Sequence, residues 1–563
     1  MPIFKVPPGD YAGLWEKVSQ GNRQFELDCL AYGVGHADEG VCLLIRMGPY
    51  KILLDCGLRD ISPLVADLGQ AQAIDLVLCS HAHADHAQGL LPLHQAFPQV
   101  PIYASEVTTE LLPLNWLGES VPPRFCQALP WRSPVEFQDG LSAELFPAGH
   151  LPGASLFLLT YTPPHQVGEP DPRPYTLLYT GDCFLSNSRL VEGLPLEELR
   201  GLKPDVLIIE GSYGTARYPR RRQQENQLAE RIAQAIGAKQ SILMPTPTLG
   251  LGQELLMLLR SHHQFTGRDL DIWVDGSVAA GCNAYLELLP YLPVAVQNFA
   301  QHQPLFWDER VRPRVRHLQT AEQRRSLGQS PCIVITDQSA DLAAYWHQNA
   351  TPWLVLQQHP SHSLPIAATT QMPTIETYLL AEHCDGSGTT QLIHNLRPQH
   401  VVLVHGSPTY LADLNNLDEL CNRYHLHSPR PGAIVDLPVG EIFLQPAPPE
   451  GNYEGELIQH GTEVTVTLPG SIAGDPRWQN FADTGLIEVR WQGEELVLRG
   501  LSQRELLNQD ERIIRTLDDS PLRECCALCR HYRGQHCRNP TSPLLGFKVT
   551  ADGYCPAFTP RSQ

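Results

Sequence analysis

No apolar run in this chain is long enough to cross a bilayer, so no membrane partner is expected. No basic-then-apolar leader opens it either; it begins Met1-Pro2-Ile3-Phe4-Lys5, and a soluble, cytoplasmic protein is expected. Basic charge is scarce: 41 Lys and Arg stand against 61 Asp and Glu, a formal net charge of −20. That balance argues against broad, charge-driven nucleic-acid binding but leaves room for local basic tracks. Arg217, Arg220, Arg221 and Arg222 form one such cluster, and Arg310, Arg312, Arg314, Arg316, Arg324 and Arg325 another. Each reads equally as a nucleic-acid track or as a solvated face. A disulfide framework is also missing. The fifteen cysteines are odd in number and mostly scattered singly, as at Cys29, Cys42, Cys79 and Cys332, which fits reduced, buried thiols. No repeat of solenoid period is visible.

What is present is a dense group of metal-binding side chains. His81-Ala82-His83-Ala84-Asp85-His86 follows the apolar run Leu76-Val77-Leu78-Cys79, which reads as a buried strand, and Ser80 opens a loop. In extended chain His81 and His83 point the same way and can share one ion. Asp85 and His86 follow as the chain turns into a helix and can face a second. Imidazole with carboxylate suits zinc, with manganese or iron as outsiders.

Further polar residues stand at strand ends or turns. Asp55 follows Ile52-Leu53-Leu54, His150 lies in Pro147-Ala148-Gly149-His150-Leu151-Pro152-Gly153, and Asp182 ends Tyr179-Thr180-Gly181-Asp182. Glu210 ends Leu207-Ile208-Ile209, and His405 follows Val401-Val402-Leu403-Val404. Such positions often gather in one cleft. Between them, the middle of the chain has its own α/β alternation: Ile242-Leu243-Met244 and Ile272-Trp273-Val274 read as strands, and 223–236, 253–259 and 321–327 as helices. One domain interrupted by another is the expected plan.

The series Asp55, His81-x-His83-x-Asp85-His86, His150 and Asp182 resembles the metallo-β-lactamase superfamily. Glu210-Gly211-Ser212-Tyr213-Gly214 is similar to the Glu-Ser-Thr-Tyr-Gly run of the β-CASP nucleases, and Glu382-His383-Cys384-Asp385 and Val404-His405-Gly406 resemble their two later histidine motifs. The likeness covers about residues 25–445. It implies an α/β fold: a metallo-β-lactamase αββα sandwich interrupted by an α/β β-CASP domain, with a small C-terminal β segment and a Cys-rich tail. The corresponding spans are 1–211 and 376–446 for the sandwich, 212–375 for the insertion, 451–519 for the β segment and 520–563 for the tail.

The resemblance also implies roles. His81, His83 and His150 hold one zinc, Asp85, His86 and His405 the other, Asp182 bridges them, and Asp55 supports the cluster. His383, paired with Glu210, gives a proton to the leaving oxygen, while Ser212, Tyr213 and Gly406 meet substrate. Two zinc ions, with manganese as substitute, then activate water against an RNA phosphodiester, leaving 5′-phosphate and 3′-hydroxyl ends. In the family, a histidine at the position of His405 accompanies RNA-processing members, so RNA is the expected partner, and a groove between the interrupted domain and its insertion is expected to admit single strands better than duplexes; a homodimer is left open. A DNA nuclease, a small ester or thioester hydrolase and an inactive scaffold subunit of an RNA-processing complex are the alternatives. The chain departs from the family at Leu251, where an arginine is usual, and at Glu382, which brings an extra charge to a region that touches substrate phosphates. In the tail, Cys526, Cys529, Cys537 and Cys555 make a four-thiolate set for a further zinc or an iron–sulfur cluster, with Cys525 spare.

Overall fold

A computed structural model describes residues 27–36, 39–70, 74–165, 172–346, 352–359 and 373–439, with shorter pieces beyond. It divides into two units, 1–447 and 448–563. The first unit contains three sheets. One has seven strands: β1 (Leu27–Val34), β2 (Val41–Met47), β3 (Tyr50–Leu54), β4 (Leu76–Leu78), β5 (Ile102–Ser105) and β6 (Cys126–Leu129), with β20 (Ile434–Asp436) outside β1. A second runs, from one edge to the other, through β7 (Val135–Gln138), β8 (Leu141–Pro147), β9 (Ser155–Tyr161), β10 (Tyr175–Tyr179), β11 (Val206–Glu210), β18 (His400–Val404) and β19 (His425–His427).

Alternation along these strands explains why the two sheets stack. Cys29, Leu43, Ile45, Ile52, Leu54 and Leu78 of the first sheet share one buried core with Phe157, Leu177, Tyr179, Val206, Ile208, Val402 and Val404 of the second. Their sequence neighbours Leu30, Leu44, Leu53, Val77, Leu178, Leu207 and Leu403 point the other way into a core shared with helices. Strands buried on both faces read as unbroken apolar runs.

After β11 the chain leaves the second sheet and returns to it at β18, which pairs parallel with β11 from Val206↔His400 to Glu210↔Val404. The intervening chain builds a separate six-stranded sheet. Its order is β14 (Arg314–His317), β13 (Asp271–Val274), β15 (Cys332–Asp337), β12 (Ser241–Thr246), β16 (Trp353–Gln358) and β17 (Thr374–Tyr378), with every neighbouring pair parallel. Ile242, Met244, Ile272, Ile333 and Leu354 face the helices on one side, while Leu243, Trp273, Val334 and Val355 face a smaller core on the other. The architecture is the α/β sandwich with an inserted α/β sheet that the sequence leads one to expect.

In the second unit the described strands form three small antiparallel sheets, one of Tyr453–Glu454, Ile487–Gln492 and Glu495–Gly500, one of Glu456–His460 and Glu463–Thr467, and one of Tyr532–Arg533 and His536–Cys537. Of the four expected tail ligands, Cys529 is buried, whereas Cys526, Cys555 and the side chain of Cys537 lie outside the described residues. Among the described residues, no helix is long and apolar enough to cross a membrane.

Candidate metal centre

Parallel pairing puts several strand C-termini at one edge of the sandwich. Asp55 follows β3, His81 follows β4, Asp182 follows β10, Glu210 ends β11 and His405 follows β18. The short helix Ala84–Ala87 carries Asp85 and His86. Asp55 and His405 both have positive φ, at 56° and 50°, a conformation that non-glycine residues adopt rarely. His405 is held there by its own N–H, which donates to Val34 O at 2.7 Å.

Two donor sets meet at Asp182. His81, His83 and His150 converge: His83 Nδ1 lies 3.2 Å from His81 Nε2 and 3.0 Å from His150 Nε2. Asp182 Oδ2 sits 3.5 Å from His81 Nε2 and 3.7 Å from His150 Nε2. On its other side, Oδ1 lies 3.3 Å from both His86 Nε2 and His405 Nδ1, and His405 Nε2 is 3.1 Å from Asp85 Oδ2.

The donor geometry fits cations. A tetrahedral zinc with Zn–N bonds of about 2.0–2.1 Å separates its donors by roughly 3.3 Å, close to the spacings above. His86 Nε2 and Asp182 Oδ1 are buried with no hydrogen-bond partner, an arrangement that is costly unless something positive stands between such groups.

Neighbouring groups fix which nitrogen each ring presents. A carbonyl only accepts, so His83 donates Nε2–H to Leu249 O (3.2 Å) and His150 donates Nδ1–H to Glu382 O (2.8 Å). Their other nitrogens are left with lone pairs facing the cluster. His86 likewise gives Nδ1–H to Asp55 Oδ2 at 2.6 Å. Asp55, fully buried, also accepts from Ser80 N (2.6 Å), Ser80 Oγ (2.7 Å) and the Tyr179 hydroxyl (2.5 Å).

Electrostatically the two sets differ. Burial, then the neighbouring imidazoles, push His83 down to about 4 and hold His81 and His150 low as well, so these rings are neutral at neutral pH. Burial opposes charge at His86 too, yet the carboxylates of Asp182 and Asp55 raise it to about 10. His405 is raised in the same way, against burial, by Asp182 and Asp85.

His383 stands beside this centre, its ring stacked on His150 at 4.6 Å. Its Nδ1 is 2.9 Å from Glu210 Oε2. Burial works against its charge, but the Glu210 carboxylate and then Asp182 bring its pKa up to about 9. Glu210 is anchored by the Cys183 N–H at 2.6 Å and by the Ser212 hydroxyl.

The remaining expected residues fall nearby. Ser212 Oγ also contacts His405 Nδ1 at 2.9 Å, so its hydroxyl is engaged within the site. Tyr213 is buried, its ring edge-on to that of His383 with centroids 5.6 Å apart. At Gly406 a Cβ would come within 2.6 Å of Gly211 O. Glu382, the unexpected charge, is half-buried, accepts from Gln358 Nε2 at 3.0 Å, and has its pKa raised by partial desolvation. Sequence reasoning missed Leu249 O, Glu382 O and the Tyr179 hydroxyl; the carbonyls belong to the backbone and carry no signature.

A β-lactamase superfamily domain matches residues 50–244, and a Zn-dependent metallo-hydrolase RNA specificity domain matches residues 372–419. An uncharacterized protein of Synechocystis sp. is 50% identical over 96% of this chain and 98% of its own length. The chain belongs to the metallo-β-lactamase superfamily. Its two matched domains around an inserted sheet are consistent with the β-CASP family of RNA-processing nucleases, and it is a metal-dependent hydrolase. A probable RNase of Methanocaldococcus jannaschii is 29% identical over 42% of this β-CASP-like chain and 56% of its own length. Cleavage and polyadenylation specificity factor 73 of Drosophila melanogaster is 23% identical over 68% and 60%, so the chain spans somewhat over half of these two relatives.

Proposed function

We propose that the chain is a ribonuclease hydrolysing phosphodiester bonds of single-stranded RNA at two zinc ions, leaving 5′-phosphate and 3′-hydroxyl ends. One observation carries this reading: a single carboxylate, Asp182, turns one oxygen to the His81–His83–His150 set and the other to His86 and His405. His81, His83 and His150 would hold one ion, Asp85, His86 and His405 the other, and Asp182 both. Such a pair, when bound, supplies Lewis-acid charge and a nucleophilic oxygen at neutral pH.

The protein's own groups do the rest. Asp55 orients His86 by accepting its Nδ1–H, and the carbonyls of Leu249 and Glu382 orient His83 and His150. His383, with Nδ1 committed to Glu210, has Nε2 available to donate a proton to the departing 3′-oxygen, an alkoxide that leaves poorly without one. Ser212 positions Glu210 and His405, and Tyr213 and Gly406 shape the surroundings of the scissile bond. RNA is favoured by the RNA specificity domain matched at 372–419 and by the RNase named among the relatives. Separately, the tail thiols Cys526, Cys529, Cys537 and Cys555 would hold a further zinc or an iron–sulfur cluster.

The test is elemental analysis of the purified protein together with cleavage of end-labelled single-stranded RNA, matched DNA and a small thioester. The expected result is close to two zinc ions at the centre, RNA cleavage with 5′-phosphate products, and loss of metal and cleavage together in Asp182→Asn. Thioester hydrolysis with RNA left intact would replace this reading with the small-molecule one.

A further inference from the structure

The two arginine clusters are indistinguishable by composition, and their surroundings separate them. In the second cluster, Arg310 lies 3.7 Å from Asp308, Arg312 3.6 Å from Asp269, and Arg314 2.7 Å from Asp269 and 2.5 Å from Asp271. Arg316 is 3.6 Å from Glu309 and Arg324 2.5 Å from Asp275. That cluster is largely neutralised where it stands. In the first, Arg221 is buried and turned inward to Glu254 at 3.3 Å. Arg217, Arg220 and Arg222 are exposed, and among the described residues none has a carboxylate within 4.0 Å. Glu419 feels Arg217 only weakly, after its own partner His394.

A run of aromatic rings leads from these arginines to the metal centre. Tyr213 meets His383 edge-on at 5.6 Å, and Tyr218 meets Tyr213 edge-on at 5.0 Å. Tyr213 is buried, whereas Tyr218 is half-buried and presents ring surface to solvent. The turn bearing Tyr218 is pinned by its N–H, which donates to Asp385 Oδ2 at 3.0 Å. Tyr410, also half-buried, comes down on Gly214, where a Cβ would meet Tyr410 Cβ at 2.8 Å. Glycine at 214 therefore lets the helix Pro408–Asn415 bring Tyr410 to the same turn.

We propose that Tyr218 and Tyr410, with Arg217 and Arg220, form a subsite for single-stranded RNA on the His383 side of the metal centre. Bases stack on the exposed ring faces, and backbone phosphates are met by the unpaired guanidinium groups. The proposal rests on the ribonuclease reading. Because His383 there protonates the departing 3′-oxygen, the strand this subsite grips lies 5′ of the cleaved bond. RNA is thus held upstream of the cut as well as at it.

The test compares two oligoribonucleotides that share one cleavage position. One carries six or so nucleotides 5′ of it, in keeping with the several-nucleotide tracks of single-strand binders; the other has a single nucleotide there. For the longer substrate, Tyr218→Ala should raise KM about fivefold or more with kcat little changed, and Tyr218→Trp should restore it. Arg217→Ala/Arg220→Ala should raise KM and flatten the salt dependence, lowering the slope of log affinity against log salt by about 1.4. Both effects should shrink for the short substrate, and Arg312→Ala/Arg314→Ala should change neither. RNA cleavage that persists with equal KM changes for both substrates, or with no change in either variant, overturns the subsite and leaves the ribonuclease reading standing. Absence of any RNA cleavage by the wild-type protein overturns both.

Discussion

The sharpest consequence of the geometry concerns His383 and the leaving group. Glu210 Oε2, 2.9 Å from Nδ1, outweighs the burial that disfavours charge and holds the imidazole at about 9. That carboxylate favours the imidazolium form at neutral pH, so the donor is loaded before reaction. Removing a loaded general acid costs about 10²–10⁴ in rate, or about 3–5.5 kcal/mol of barrier. His383→Ala should therefore cut kcat on RNA by that factor. A nucleoside 5′-phosphate esterified to p-nitrophenol offers a contrast, because its leaving group departs without a proton. On that ester the same variant should lose less than about tenfold. Metal content measured in parallel should match wild type, since no ligand has been removed. Equal losses on both substrates would refute the proton-donor role. A fall in bound metal would make His383 a ligand instead, an outcome with some geometric basis, since its Nδ1 is 3.9 Å from Asp182 Oδ2.

Three further outcomes are expected. Asp55→Asn leaves at least one of four donors facing an amide N–H₂, and should weaken metal binding about 10–100-fold in competition with a chelator; unchanged affinity would refute the supporting role. Gly250→Ala forces φ +88° on an alanine and sets its Cβ 3.2 Å from Leu151 and 3.3 Å from Glu382 Oε1, at a cost of about 1–3 kcal/mol; Tm and metal affinity should both fall, while Gly237→Ala, whose Cβ would meet nothing within 4 Å, should leave both unchanged. His427, lowered from 6.5 to about 4 by burial and then by His400 and His425, contributes stability that is complete above pH 6.5 and is lost as pH falls toward 4, by at most about 3 kcal/mol. His427→Gln should accordingly flatten the decline of Tm between pH 7 and 5, and parallel Tm curves would refute the assignment.

How far the fold could be read in advance varies from one element to another. Leu207-Ile208-Ile209 and Val401-Val402-Leu403-Val404 are legible as strands because both faces are buried, which leaves no polar interruption. The helix expected from residue 223 begins at Arg221, because a charged side chain that would mark a surface is here buried against Glu254. The helix expected over 253–259 runs Leu251–Ser261. Gly252 looks like a breaker in sequence, but a Cβ there would strike Val278 at 2.7 Å and Thr246 Oγ1 at 2.9 Å, so it marks close packing against the sheet. The state of the arginines at 310–316 is set by register: Asp271 pairs with Arg314 only because β13 and β14 lie side by side. No local pattern reports such a pairing.

The metal-competent side chains were legible for a different reason: Asp55, His81, Asp182, Glu210 and His405 stand at or just after strand ends, and Asp85 and His86 on the short helix that follows His83, where the backbone can turn side chains into the cleft. Their aim is supplied from elsewhere. Two of the three imidazoles in the His81–His83–His150 set are oriented by backbone carbonyls, Leu249 O just after β12 and Glu382 O just after β17. Both carbonyls stand just past the C-terminal ends of strands of the six-stranded sheet, so the inserted sheet reaches the metal centre through them. A shift of that sheet would release the Nε2–H of His83 and the Nδ1–H of His150 together, and with them the tautomers that leave lone pairs on His83 Nδ1 and His150 Nε2. Seating of the insertion and affinity for the ion in that set are thereby one equilibrium, with two hydrogen bonds, of 3.2 Å and 2.8 Å, as the link between them.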